Sequence, residues 1–355
     1  MQWINRVQWI NRVAPEALLI SLLALGVSAS LTKAVRRLSW MHGLLDVPNE
    51  RSSHSATTPR GGGVSIVIAA TLALLVLRWM QAIPSDVLLA LIGGGGAVAA
   101  IGFLDDHRRV PAGIRLTVHV GAAFWALLCL GGLPPLSIGD RVFDLGWGGH
   151  ALALVGIVWI LNLFNFMDGI DGIAASEGVF ITCSGALLSL AYGPPSDMLA
   201  AGMVLGASCL GFLLWNWPPA TIFMGDVGSG YLGYVIAVMA LAATRDNPAA
   251  VWIWLILGGV FFVDATVTLV RRAIRGERLH EAHRCHAYQR LAQRWGSHRR
   301  TTIAVIVLNL AWLLPCALIA ALHPQAAVWI AVGALAPLVL LALASGAGKR
   351  SNGSR

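Results

Sequence analysis

The sequence predicts an all-α fold, a polytopic transmembrane helix bundle with about eleven spans. Only 12% of the 355 residues are charged and 57% are apolar, whereas a soluble domain carries about a quarter charged residues. Apolar runs of roughly 17–25 residues, enough to cross about 30 Å of hydrocarbon, recur along the whole chain. Lys and Arg collect between particular runs, which alternation puts on one face of the bundle.

Taken in order, the runs are 14–32, 63–81, 86–104, 114–132, 150–167, 173–192, 198–215, 227–243, 250–270, 301–322 and 325–346. Before the first, QWINRV at 2–7 recurs at 8–13, so 1–13 reads as a duplicated N-terminal segment with no assigned role. Val27-Ser28-Ala29 has the look of a cleavage site, but Lys33, Arg36 and Arg37 follow directly and mark 14–32 as a retained anchor. Residues 14–346 form a single transmembrane domain with polar loops at 33–62, 105–113, 168–172, 216–226 and 271–300. Residues 347–355 are a short basic tail.

Eleven spans put the two termini on opposite sides. Of the 25 Lys and Arg, 20 lie in the first loop, after the third span, between 271 and 300, and in the tail. The positive-inside rule makes that face cytoplasmic, with the N-terminus periplasmic and the C-terminus cytoplasmic. The net charge of +8 is thereby directed at phosphate or anionic lipid, not nucleic acid. The five cysteines show neither pairing nor metal spacing and read as small buried or incidental residues.

The acids fall on the same face. Asp105 and Asp106 close the third span, Asp168 and Asp171 the fifth, and Asp226 opens the eighth. Acids near membrane depth are costly unless paired, hydrated or metal-bound, so they are functional candidates. Each alone could be a polar helix end; five together are hard to read that way. Asn162, Asn165, Asp168 and Asp171 recur every three residues, and on a helix neighbours in such a series share a face. Their oxygens suit a hard cation such as Mg²⁺. Asp226, among Gly225, Gly228 and Gly230, could cap a helix or bind a metal.

The loop 271–300 holds nine arginines, with His280, His283 and His286 at intervals of three. Pyrophosphate, anionic lipid and zinc all remain open for it, with arginine forks and protonatable histidines best matched to pyrophosphate. Gly94, Gly96 and Ala99 mimic a dinucleotide fingerprint without its βαβ context, so 93–96 reads as a close helix contact. Asp264 either pairs with a basic neighbour or helps build the site.

Five segments in one order resemble the polyprenyl-phosphate N-acetylhexosamine-1-phosphate transferase superfamily, which includes phospho-MurNAc-pentapeptide transferase. They are LLDVPNERSSHSATTPRGGG (44–63), FLDDHRRVPAGIR (103–115), NLFNFMDGIDGIA (162–174), FMGDVGSGYLG (223–233) and HRCHAYQRL (283–291). The resemblance implies a transferase of the bacterial inner membrane with its active site facing the cytoplasm. It would move a sugar-1-phosphate from a UDP-linked N-acetylated sugar to undecaprenyl phosphate, releasing UMP.

By the same resemblance, Asp105 and Asp106 are its paired catalytic aspartates, and Asn165 and Asp226 its Mg²⁺ ligands, with Mn²⁺ a possible substitute. Asp168 and Asp171 are its acids near nucleotide and metal. Arg51, His54 and Arg60 match its first cytoplasmic loop, His283 and His286 its histidine loop, and Asn162 and Arg115 further substrate-binding positions. Arg115 stands where many relatives have Lys, and HRCHAYQ departs from the tighter histidine cluster of the peptidoglycan enzyme. The histidine loop looks more like that of the O-antigen-initiating branch. Two copies could pair as a homodimer. The competing reading is a transporter or flippase of polyprenyl-linked sugars, but such proteins set charged sites near mid-bilayer across inverted repeats, and no repeat is evident.

Overall fold

The computed structural model describes residues 2–48, 56–192, 197–277 and 284–349, with side chains for these apart from 2–14, 192 and 197. It is a multi-pass helical bundle. Among the described residues nine helices are long and apolar enough to cross a membrane, or ten if one sharply bent pair counts as a span. In order come α1 (Gln2–Met41), α2 (Gly63–Trp79), α3 (Ser85–Leu89) and α4 (Gly95–His107), then α5 (Ala112–Leu130), α6 (Gly146–Met167) and α7 (Ile173–Tyr192). There follow α8 (Asp197–Asn216), α9 (Asp226–Asp246), α10 (Ala250–Leu257) and α11 (Gly259–Ile274). The chain closes with α12 (Ala287–Trp295), α13 (His298–Leu308), α14 (Leu314–Leu322) and α15 (Ala327–Ser345).

α3 and α4 form one span through a π-helical turn at Ala90–Gly94, as do α13 and α14 through Asn309–Leu313. α10 and α11 meet at a 76° bend. α2, with 17 residues, falls just below spanning length. The eleven apolar runs fall mainly on helix, though 86–104, 250–270 and 301–322 each run across two helices, and the described residues hold nine or ten spans where the sequence suggests eleven. α1 continues beyond residue 32 to Met41, so Lys33, Arg36 and Arg37 lie on helix and not in a loop.

α9 sits at the centre and is almost wholly buried. Its glycines let neighbouring backbones approach closely, the packing mode that replaces hydrophobic drive between helices in lipid. A Cβ on Gly63, at the start of α2, would stand 2.3 Å from the Gly228 Cα, and one on Gly102 of α4 2.5 Å from the Asp226 carbonyl. These contacts draw three helix ends onto one point. Gly94 leaves room for the Tyr234 hydroxyl, which donates to the Ala90 carbonyl at 2.8 Å. The 93–96 cluster is therefore a packing device. Leu18, Leu19, Leu22 and Leu23 of α1 are exposed, as expected of a face turned to hydrocarbon.

Two short antiparallel pairs flank the bundle. β1 (Leu45–Asp46) pairs with β2 (Thr58–Pro59), and β3 (Leu136–Ile138) with β4 (Arg141–Phe143). The segment after β2 then zips onto the stretch before α9. Phe223 N donates to the Pro59 carbonyl at 2.8 Å, Gly62 N to Phe223 at 2.9 Å and Gly63 N to Met224 at 2.8 Å. This backbone register carries Arg60 to the mouth of α9.

Candidate active site

The sequence places its acids on three helix ends, and the fold brings those ends together. Asp105 and Asp106 lie in the last turn of α4 and Asp226 is the first residue of α9. The Asp106 carboxylate is fully buried and accepts from Asp226 N at 2.9 Å and Val227 N at 3.2 Å. It thus satisfies two of the amides that every helix N-terminus leaves unpaired. Capping and site-building, posed as alternatives for Asp226, are divided between two residues, with Asp106 doing the capping.

Two arginines lace the acids. Arg60 Nε reaches Asp106 at 2.8 Å and its Nη2 reaches Asp226 at 2.7 Å. Arg115, one helix away on α5, donates to Asp105 and lies 3.3 Å from Asp226. Asp105 also accepts from Val110 N at 2.7 Å, which folds the chain back after α4. Three carboxylates thus share two guanidinium groups that are each about one-third exposed. Burial works against the Arg60 charge, but the Asp226 and Asp106 carboxylates outweigh it and raise its pKa.

α6 ends at Met167, so the 162–171 series is split. Asn162 and Asn165 stay on the helix; Asp168 and Asp171 lie in the loop to α7. Burial pushes the Asp168 carboxyl well above the usual carboxylate range. Arg60 opposes the rise, and Asp226, Asp106 and Asp171 reinforce it. Asp171 is occupied structurally: it accepts from Ala220 N at 3.0 Å and lies 3.2 Å from His298 Nδ1, while Thr302 Oγ1 donates to its carbonyl at 2.9 Å. It ties its loop to the stretch before α9 and to α13.

Asn165 Nδ2 donates to Ser229 Oγ at 3.1 Å, and Ser229 Oγ donates to the Gly225 carbonyl at 3.1 Å. With its NH₂ engaged, Asn165 keeps its amide oxygen for another partner. Among the described residues no three His, Cys, Asp or Glu side chains converge as a metal cage. The donor set is nonetheless all oxygen. It fits Mg²⁺, which takes one or two carboxylates and completes its shell with phosphate oxygens and water.

Among the described residues of the basic stretch 271–300, residues 271–274, 287–295 and 298–300 are helical. Arg51, His54 and His283 lie outside the described residues. His286 is buried, with Nδ1 3.4 Å from Asp264, and it stacks on Tyr288. Asp264 accepts from Ala287 N at 2.8 Å and Tyr288 N at 3.0 Å, so it caps α12 from a neighbouring helix. Arg271, Arg275 and Arg290 bond carbonyls of residues 347–349, so these three are not free phosphate forks.

A cavity of about 660 Å³ opens beside the acids between α4, α5, α6 and α9. Ile101, Leu116, Val120, Leu154 and Val158 give it apolar walls, and Arg115, Asn162, Asn165 and Asp226 supply its polar end. His119, one turn beyond Arg115, also lines it. Sequence reasoning singled out neither His119, an ordinary helix residue in isolation, nor Ser229 and Tyr288, which lie within the quoted motifs 223–233 and 283–291 without an acid's signal.

Residues 88–244 match the model of glycosyl transferase family 4. The chain is 30% identical over 301 residues to a probable undecaprenyl-phosphate N-acetylglucosaminyl 1-phosphate transferase of Bacillus subtilis, covering 82% of this chain and 81% of that one. It is 28% identical over 326 residues to a decaprenyl-phosphate N-acetylglucosaminephosphotransferase of Mycobacterium tuberculosis, covering 82% and 79%. A phospho-N-acetylmuramoyl-pentapeptide-transferase of Moorella thermoacetica matches at 31% over 232 residues, 61% and 69% of the two chains. The order of the motifs, the shared end at which the acids meet and these relatives agree, and the chain belongs to glycosyl transferase family 4, among the polyprenyl-phosphate hexosamine-1-phosphate transferases.

Proposed function

We propose that the protein transfers an N-acetylhexosamine-type sugar-1-phosphate from a UDP-sugar to undecaprenyl phosphate at the cytoplasmic face of the inner membrane. The observation that carries this is the cavity. An apolar channel between helices ends on Arg115, Asn162, Asn165 and Asp226, and Asp226 is in turn held by Arg60. That shape suits a lipid tail with a phosphate head. The assignment to O-antigen initiation rests on the histidine-loop likeness alone.

A phosphate monoester has a second pKa near 6, so the acceptor is already largely ionised at neutral pH. The difficulty is bringing two anions together, and positioning and cationic neutralisation relieve it. An acceptor phosphate oxygen attacks the sugar-linked phosphorus; the new P–O bond forms as the bond to UMP breaks. Arg60 and Arg115, now held by carboxylates, are exposed enough to turn toward phosphate oxygens. Asp105 orients the acceptor phosphate or takes its residual proton, and Asp106 keeps α9 and Asp226 in place. Asn165 and Asp226 would hold Mg²⁺, which when bound supplies charge neutralisation at the diphosphate.

The direct test incubates purified protein with undecaprenyl phosphate, Mg²⁺ and a panel of UDP-sugars, and measures UMP. Release with one N-acetylated donor, abolished by EDTA, is expected. Transport of lipid-linked sugar into vesicles with no donor consumed would favour the flippase reading instead.

A further inference from the structure

Residues 346–349, directly after α15, are held in place. Ala347 is fully buried, and three successive carbonyls are each taken by an arginine. Arg271 Nη1 donates to Ala347 at 2.9 Å, Arg275 donates to Gly348 and Arg290 to Lys349. Gly348 N donates in turn to the Cys285 carbonyl at 2.7 Å. Gly348 has φ +71°, and a Cβ there would stand 3.0 Å from both the Thr268 carbonyl and the Arg271 Cβ. The segment is held through its backbone, by α11, by α12 and by the stretch between them.

What it holds leads to the site. Cys285 and His286 run directly into α12, whose first amides are capped by Asp264. Tyr288, the second residue of α12, donates its hydroxyl to the Phe166 carbonyl at 3.0 Å. Gly169 leaves the space that this hydroxyl fills; a Cβ there would lie 2.2 Å from it. Phe166 and Gly169 bracket the turn bearing Asp168, next to Asn165. A continuous run of contacts therefore joins residues 346–349 to the carboxylate loop; Phe166 and Leu269 line the apolar cavity, but Asp168 does not.

We infer that residues 346–349 are a positioning strap for the transfer reaction, fixing α12 and thereby the Asp168 loop on the donor side of the site. The strap touches neither substrate and acts through Cys285, Arg290 and Tyr288. It rests on the transferase reading only for its kinetic consequence, since the ordering of α12 can be measured without substrate.

The experiment compares full-length protein with a chain ending at Lys349 and a chain ending at Ser345. Steady-state kinetics would be run with each substrate varied in turn, together with amide hydrogen exchange of 166–172 and 286–295. The Lys349 end point should match the full chain. The Ser345 end point should raise the donor KM about tenfold, the scale expected of small misplacements, leave the acceptor KM within about twofold, and speed exchange in both segments. Gly348→Val serves the same purpose if the shorter chain is not inserted, because it displaces the strap without removing residues. Unchanged exchange in these variants overturns the strap. Equal shifts in both KM values, or a loss confined to yield, would also overturn it, as general loosening. If the wild-type protein consumes no UDP-sugar, the transferase reading fails while the exchange result still decides the strap.

Discussion

The two ends of the bundle are built from the same residue types and behave differently. The span from Ser85 to His107 starts with Asp86 and finishes with Asp105 and Asp106; α9 starts with Asp226 and finishes near Arg245. At the first end Asp86 and Arg245 meet at 2.6 Å, each about a third exposed. At the other end three carboxylates and two guanidiniums interlock with Asp106 wholly enclosed. A solvated pair contributes about 0–1 kcal/mol. Enclosing like charges costs stability, and membrane proteins retain such arrangements where charge is to be handled.

Substitutions can break that contrast. The largest effect is expected of Asp226→Ala, which should lower UMP release about 10³-fold, the scale of losing one preorganised electrostatic group, with normal membrane insertion. Activity within tenfold of wild type would remove Asp226 from the reacting centre. Asp106→Ala should lose both activity and stability, the latter by about 2 kcal/mol from the uncapped α9, read as a lower unfolding midpoint in detergent.

Asp168→Asn tests burial by pH. A carboxyl whose folded pKa is raised keeps its proton above the unfolded value near 3.9. The folded state therefore loses stability as pH climbs from about 4 through the raised value. In EDTA, the Asn variant should melt higher than wild type at pH 7–8 and no higher at pH 4. A constant difference across that range would count against the buried, repelled state of Asp168. The smallest effect belongs to Asp86→Ala, with activity within twofold and stability within about 1 kcal/mol; a larger activity loss would erase the distinction between the ends.

Periodicity and composition made the helices legible, because lipid demands long apolar runs whose backbones satisfy themselves. Asp105, Asp106 and Asp226 stood out as acids at membrane depth, and the structure does join them with Arg60 and Arg115. Less legible was which acid does what. Asp171 carried the same motif signature as Asp168, yet it bonds Ala220 N and sits beside His298, a partnership 127 residues away in sequence. The helical stripe from 162 to 171 failed because α6 ends at Met167, with Asp168 already out of helical geometry. Basic residues 271–300 looked uniform in composition, but three of them bond the chain's own carbonyls, and no local pattern announces a contact with residues 347–349.

Asp106 carries one further consequence. Its two oxygens anchor a helix and an arginine at once, so a variant scan will find expression and turnover falling together at that position. At Asp105, whose bonds run to Arg115 and a loop amide, the two traits should come apart. Anyone hardening this enzyme against heat can edit its lipid-facing leucines freely, but position 106 joins durability to chemistry and offers no exchange between them.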